Sequence, residues 1–288
     1  MKTLAGVHDA PPFHWVGDAF AVRSLFSYND THDLSPFILL DHAERRDFTP
    51  AAKPRGVGWH PHRGFETVTI VYEGEVEHHD SRGNRGVIGP GDVQWMTAAS
   101  GILHEEFQSQ DFTASGGAMH MVQLWVNLPA RDKMSEPGYQ TLLRSDIPVV
   151  QLADGAGTLR VIAGDFAGAH GAAKTHTPVE VFDVTMRAGK GATIPVAHGR
   201  TLAIVVLSGS LRINGSQDAR AGQLVTFDRS GADVNVGALE EATFLVLSGE
   251  PLDEPVFGYG PFVMNTRDEI VQAIEDFNAG RFGAPVEA

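Results

Sequence analysis

The sequence predicts an all-β protein containing two similar barrels or sandwiches, and three observations carry that expectation. Short runs rich in β-branched and aromatic residues recur along all 288 residues, a composition suited to a pleated, half-buried surface. Glycine-rich turns separate these runs at regular spacing, as in sandwiches and closed barrels. The second half of the chain also repeats the first.

In the first half the strand-like runs are PFILLDH (Pro36 to His42), FETVTIVY (Phe65 to Tyr72), VQWM (Val93 to Met96) and MHMVQLWVNL (Met119 to Leu128), punctuated by EGE, SRGNRG and GPGD. In the second they are LRVIAG, VEVFDVTM, TLAIVVLSG, QLVTFD and ATFLVLSG. VYEG ends at Gly74 and VLSG at Gly209, an offset of 135, and the turn at Gly91 matches the one at Gly222. A repeated β-barrel unit explains both matches. LPARDKMSEPG and LADGAG, between Pro129 and Gly157, carry turn residues and little periodicity and mark the joint. The expected domains are therefore residues 1–135 and residues 136–288, the latter including a short C-terminal helix. That helix has a capping box in Thr266 and Glu269, a shared apolar face of Ile270, Ile274 and Phe277, and a stop at Gly280.

With 22 Lys and Arg against 36 Asp and Glu, the formal net charge is -14. Such a surface repels nucleic-acid phosphates and argues against direct DNA binding. The chain has no cysteine, which excludes thiol catalysis, disulfides and thiolate metal sites and leaves nitrogen and oxygen to hold any metal. MKTLAGVHDAPPF lacks the apolar core of a signal peptide and no apolar run is long enough to span a bilayer, so a cytoplasmic protein is expected.

The chemistry is concentrated in GWHPHRGFETVTI, Gly58 to Ile70. Residues two apart on a strand face the same side, so His60 and His62 point one way, as do His104 and Glu106 in GILHEEF. Neighbouring strands would bring these four side chains together inside one barrel, a set suited to a divalent transition metal with positions left open for substrate or dioxygen. Pro61 is tolerated at a strand start or edge. Applying the offset of 135, His60 maps to Pro195, His62 to Ala197 and Glu66 to Thr201, while His104 maps to Asn235 or Leu239, so the second barrel is expected to carry no metal. His78 and His79 are adjacent and face opposite ways, as surface or lining residues. His120, on a long apolar strand, is either a pocket residue or a hydrogen-bonded core histidine. GVIGPGD is a turn and not a phosphate loop, since no lysine follows it.

HPHRGFE followed by GPGDVQWMTAASGILHEE resembles the two motifs of a cupin, and specifically those of the pirin family of bicupins. Ala99, Gly101 and His104 fall where the cupin pattern P-x-G-x2-H has its proline, glycine and histidine, with alanine replacing proline. PFILLDH and GEPLDEPVFGYGPFVMNT also look like pirin segments. The resemblance implies two jelly-roll-like cupin barrels packed face to face, with one mononuclear metal in the N-terminal barrel. Its ligands would be His60, His62, His104 and Glu106; the metal is usually iron, with Mn, Co, Ni, Cu or Zn as alternatives. Many other cupins draw the acidic ligand from the first motif, near Glu66; the pirin pattern places it at Glu106 and leaves Glu66 to orient a ligand imidazole. Glu105, a second acid beside Glu106, departs from the pattern. The activity implied is that of a flavonol dioxygenase such as quercetin 2,3-dioxygenase, acting on a small aromatic substrate and dioxygen, with Glu106 as ligand and general base and the protein a monomer. The alternative is an iron-dependent regulator that binds a transcription factor or metabolic enzyme without turnover.

Overall fold

The computed structural model of the chain describes residues 1–30 and 33–286. Regular structure is overwhelmingly strand, interrupted by the helices Gln110–Ser115 and Arg267–Asn278. The strands form two compact units, each containing a seven-stranded and a four-stranded sheet; pairing is antiparallel apart from an isolated parallel bridge between Arg63 and Phe262. The all-β, twice-repeated architecture expected from the turns and strand runs is therefore the one observed.

In the unit that carries the histidine motif, the seven-stranded sheet runs Gly138–Leu142, Val93–Thr97, Phe65–Glu73, Gly117–Asn127, Phe37–Phe48, Phe20–Ser27, His14–Val16. The four-stranded sheet runs Gly56–His62, Ile102–Gln108, Val76–Asp80, Arg85–Ile88. Phe65 to Val71 are all buried, so both faces of that strand are covered. Its odd-numbered positions face the unit's interior. At one end of the interior, Val71 packs with Val76, Ile88, Met119 and Met121; further along, Thr69 and Gln123 reach polar partners on the opposite wall. One unit thus holds an apolar plug and a polar chamber in succession.

The other unit repeats the plan strand for strand. Its four-stranded sheet runs Gly191–Ile194, Val234–Ala238, Ser210–Ile213, Gln217–Arg220, and its interior is a continuous hydrocarbon core including Leu159, Phe182, Ile204, Phe244 and Val246. The offset of 135 aligns Phe65–Glu73 with Thr201–Ser208, but it sets His60 and His62 opposite Pro195 and Ala197, which lie beyond the end of Gly191–Ile194. By strand pairing the counterparts lie earlier: Ile194 opposes Val234 and Ala192 opposes Val236, where His62 opposes Ile102 and His60 opposes His104.

The division at residues 135 and 136 needs correction at both chain ends. Leu4–His8 pairs with Leu224–Phe227 and so belongs to the hydrocarbon-filled unit. Residues from Asp253 onward, including the terminal helix, belong to the histidine-bearing unit. Ile270, Ala273 and Phe282 pack there with Leu103, Phe262 and Met264. Local patterning detects a helix but not the sheet it returns to. The Thr266–Glu269 capping box forms as expected. The buried stripe is Ile270, Ala273 and Asp276, with Ile274 partly covered, whereas Phe277 stays 38% exposed with its ring against those of Phe262 and Phe282. Asp276 explains the shift, because its carboxylate pairs with Arg63 Nη1 at 2.8 Å.

That pair is one of several bonds tying the terminal segment to the end of the histidine strand. Arg63 is 4% exposed, its Nε donates to Ser100 O, and the Phe282 ring lies 4.7 Å from its guanidinium carbon. Gly64, at φ +92°, leaves no space for a Cβ, which would fall 2.0 Å from Val263 O. Lys133 closes the arrangement: its buried Nζ donates to Gly64 O (2.7 Å), Asn127 Oδ1 (2.6 Å) and Val263 O (2.9 Å). Burial lowers its pKa to about 7, against the pull of Glu254 and Glu269. A buried acceptor left unmatched costs about 1–3 kcal/mol. Lys133→Met, which keeps the length of the stem, should therefore destabilise the protein by about 3 kcal/mol in chemical denaturation; a loss below about 1 kcal/mol would mean that water replaces the amine freely.

Candidate metal centre

Ile102–Gln108 lies between Gly56–His62 and Val76–Asp80, and this placement assembles the site. His104 sits directly opposite His60 on one neighbour and opposite Asp80 on the other. A register shift between His104 and Glu106 moves the latter opposite Val57 on one neighbour, while on the other it lies opposite His78 with no shift. His60, His62 and His104 each offer a ring nitrogen within 4.8 Å of the others, and His78, His104 and Glu106 form a second such group that shares His104. The four residues expected from the sequence thus fall into two overlapping groups joined at His104, with Glu106 in the group that also contains His78. His78 was expected at the surface or as a lining residue, and is fully buried.

Each of the three imidazoles has one nitrogen engaged in holding the ring and another left over. His60 Nδ1 donates to Gly58 O at 2.8 Å. The His62 ring bonds the backbone of Pro261, which has only a carbonyl to offer, while His62 Nδ1 is buried without a partner. His104 Nδ1 lies 3.4 Å from His78 Nδ1, and His104 Nε2 is likewise buried and unpartnered. Unmatched polar atoms in a protein interior are rare and mark either strain or a missing ligand. Burial, and then the neighbouring His60, hold His62 and His104 well below the ordinary imidazole range, with His62 and His78 adding to the effect at His104. Neutral rings with free lone pairs are what a cation requires, so the residues present fit a metal.

The carboxylate is aimed in the same way. Glu106 Oε1 accepts from Thr69 Oγ1 (3.2 Å) and Gln94 Nε2 (3.0 Å), and Oε2 accepts from Gln123 Nε2 (3.0 Å). Oε1 has both lone pairs occupied; Oε2 keeps one for a metal or a proton. Gln94 is oriented by Tyr139, whose hydroxyl donates to Oε1 of the amide at 3.1 Å. Burial pushes the Tyr139 phenol up to about 12, its bond to Thr141 works against this, and Glu106 and Asp80 raise it further, so it remains a donor. Phe65 and Trp125 stack at 4.2 Å, and both rings contact His62, giving the chamber an aromatic wall.

Glu66 does not take part. It pairs across the sheet with Thr97, and strand alternation places it on the face opposite Phe65, Thr67 and Thr69. Its Oε1 accepts from Thr97 Oγ1 at 2.7 Å, and it is in neither histidine group. Glu105 points out of the chamber and pairs with His79 Nδ1 at 3.0 Å; the pairing with Val76–Asp80 keeps its register past it, while the pairing with Gly56–His62 shifts there. His120 lies outside the chamber too: His42 Nε2 and His120 Nε2 are 2.9 Å apart, and Tyr72 stacks on His120. Ala99, in the place of the cupin proline, has φ +42°, a backbone angle that the pyrrolidine ring forbids.

Two measurements check this geometry. Glu106→Gln should weaken metal binding about tenfold or more, whereas Glu66→Gln should leave affinity unchanged in a competitive chelator titration; the reverse order would make Glu66 the acidic ligand. The second concerns acid. Burial, then His120 and Arg23, lower His42 to about 3 from an ordinary 6.5. Between these values the unfolded chain binds the extra proton, so stability falls with acid below about 6.5, by up to about 1.4 kcal/mol per pH unit. His42→Gln should remove that increment from the pH dependence of denaturant unfolding. An unchanged slope would show that His42 protonates in the folded protein.

Residues 19–126 match the Pirin family and residues 181–283 the Pirin C-terminal cupin domain. A Pseudomonas aeruginosa protein named "Putative quercetin 2,3-dioxygenase PA2418" is 58% identical over 283 residues, covering 98% of this chain and 99% of that one. A pirin-like protein of Caulobacter vibrioides is 45% identical over 228 residues, 77% of this chain and 79% of the other. The crystal structure of a quercetin 2,3-dioxygenase from Acinetobacter baumannii superposes with a TM-score of 0.96 at 49% identity over 99% of both chains.

Proposed function

The chain belongs to the pirin family, and we propose that it is a metal-dependent dioxygenase that opens the heterocyclic ring of a flavonol such as quercetin. The observation that carries this reading is the cluster of His60, His62 and His104, two of them with buried unpartnered nitrogens, which is joined through His104 to the Glu106 carboxylate. The names carried by the Pseudomonas and Acinetobacter proteins support the substrate class. His60, His62, His104 and Glu106 would hold the metal, with iron as the first choice for a nitrogen and oxygen set with open positions. When bound, it supplies Lewis-acid polarisation that lowers the pKa of a flavonol hydroxyl.

The side chains do the remaining work. Oε2 of Glu106 keeps a single free lone pair, so the carboxylate takes the hydroxyl proton only when that lone pair is not engaged in holding the ion. Thr69, Gln94 and Gln123 keep that carboxylate from rotating, and Phe65 and Trp125 supply a flat apolar surface for an aromatic substrate. His60 is partly exposed while His62 and His104 are buried, so the approach is from the His60 side. Both atoms of dioxygen enter the product and one carbon leaves as carbon monoxide. The regulatory reading, an iron-dependent protein acting on a transcription factor or metabolic enzyme, draws on relatives whose names carry no activity; it needs the same ligands without turnover.

Protein of measured metal content, given a small panel of flavonols in air, should consume dioxygen and release carbon monoxide in equal amounts. Metal should approach one ion per chain, and His62→Ala should remove most of both metal and rate. Full metal loading with no turnover of any flavonol would favour the regulatory reading.

A further inference from the structure

We propose that His78 is a positioning residue that fixes which nitrogen of His104 carries the proton, as the middle member of a buried Asp80–His78–His104 chain. The inference rests on the reading of His104 as a metal ligand and adds two residues outside the four already assigned.

The hydrogen-bond pattern leaves one consistent arrangement. Asp80 is 1% exposed and its carboxylate is saturated with donors. Oδ1 accepts the backbone N–H groups of Arg82 and Asn84, both at 2.9 Å, and Oδ2 accepts Asn84 Nδ2 at 2.8 Å. An ionised carboxylate only accepts, so His78 Nε2, 3.3 Å from Oδ2, must be the protonated nitrogen. His78 Nδ1 is then a lone pair. Gln94 agrees: its amide direction is fixed by Tyr139 and Glu106, which leaves a second N–H for His78 Nδ1 at 3.4 Å. His104 Nδ1 faces the same lone pair at 3.4 Å; the two donors share it as a three-centre bond, which His104 can join only as N–H. The proton of the neutral ring is thereby held on Nδ1. Nε2 stays bare, and it is the atom found buried without a partner.

A free imidazole samples both tautomers, and in one of them Nε2–H blocks the metal. Carboxylates and carbonyls commonly suppress the wrong form at metal-bound histidines, and losing that support typically costs 10–100-fold in affinity. Here a histidine does the task for another histidine, with Asp80 setting the first link. Tyr139 stacks on His78 at 4.6 Å and 17° and keeps its ring in plane.

Asp80→Asn is the discriminating substitution, because it preserves shape. The two backbone N–H groups would keep the amide oxygen at the Oδ1 position, turning the NH2 toward His78. His78 would flip its tautomer, and His104 would carry its proton on Nε2. His78→Phe keeps the stacking ring but removes the acceptor. In the metal-free full-length protein labelled with 15N-histidine, long-range 1H–15N spectra should show His104 as Nδ1–H in the wild type and as Nε2–H in Asp80→Asn. Competitive Cu(II) titration should show at least about tenfold weaker binding in both variants, with thermal unfolding confirming that each is folded. The proposal is overturned if His104 keeps Nδ1–H in Asp80→Asn, or if both variants bind Cu(II) within twofold of wild type. It is also overturned if pulsed EPR shows that His78→Phe has lost a coordinated imidazole, which would make His78 a ligand. Failure of the wild type to take up Cu(II) would sink the ligand assignment instead, and the tautomer spectra would still decide the relay.

Discussion

Three imidazoles can share a cation only if each has given its proton-bearing nitrogen to some other acceptor, and the histidine-bearing unit is organised around that requirement. Gly58, Pro261 and His78 are the three acceptors. They come from three separate places in the sequence: the histidine strand itself, the terminal segment, and the strand on the far side of His104. Folding the sheets and setting the tautomers are consequently one event. The return of the C-terminal segment to this unit is needed for more than burial, since Pro261 bonds His62 while Val263 and Asp276 hold Arg63 and Gly64 beside it.

How much of this could be read from the sequence follows from the range of each signal. The period of two set His60 with His62 and His104 with Glu106, because a strand fixes relative facing over two residues regardless of what lies around it. The same period applied to His78 and Asp80 gives a second pair on one face. It did not say which face was inward, because both His78 and His79 are polar and hydrophobic alternation is silent there. Register supplied that information, by setting His78 opposite Glu106. Glu66 illustrates the converse. It lies on a strand whose two faces are both buried, so burial patterning offered no reason to place it outside the chamber, and nearness in sequence to His62 was misleading.

Domain boundaries failed for a different reason. The joint between Pro129 and Gly157 was visible in composition, and the units do divide there, at Arg144 and Ser145. The chain ends, however, are exchanged: the first strand serves the later unit and the last helix the earlier one. Nothing in Leu4–His8 or Arg267–Asn278 taken alone names its partner, since a short strand will pair with any free edge and an apolar stripe will cover any apolar surface. Such assignments depend on contacts distant in sequence, which local periodicity does not encode.

The two units also show what a polar chamber asks of a barrel. They share sheet order and strand pairing, yet one fills its interior with hydrocarbon and the other interrupts its core with Thr69, Gln94, Gln123, His78, Asp80 and Glu106. Polar groups buried so densely are tolerable only when nearly every one is matched, because a half-satisfied network is worse than an apolar core. Matching runs from Tyr139 through Gln94 to Glu106, and from Asn84 through Asp80 to His78. Where these bonds end, His62 Nδ1 and His104 Nε2 are left bare. A single apolar replacement inside the network would orphan atoms on both sides of it. The hydrocarbon-filled unit, with Ala192, Ile194 and Val236 at the corresponding positions, carries no such chain of dependence, and its sequence is correspondingly free to vary among aliphatic residues. The difference between the units is therefore a difference in coupling. In one, each side chain is fixed by volume; in the other, each is fixed by the donor or acceptor beside it, and the series ends on the two unfilled imidazole nitrogens.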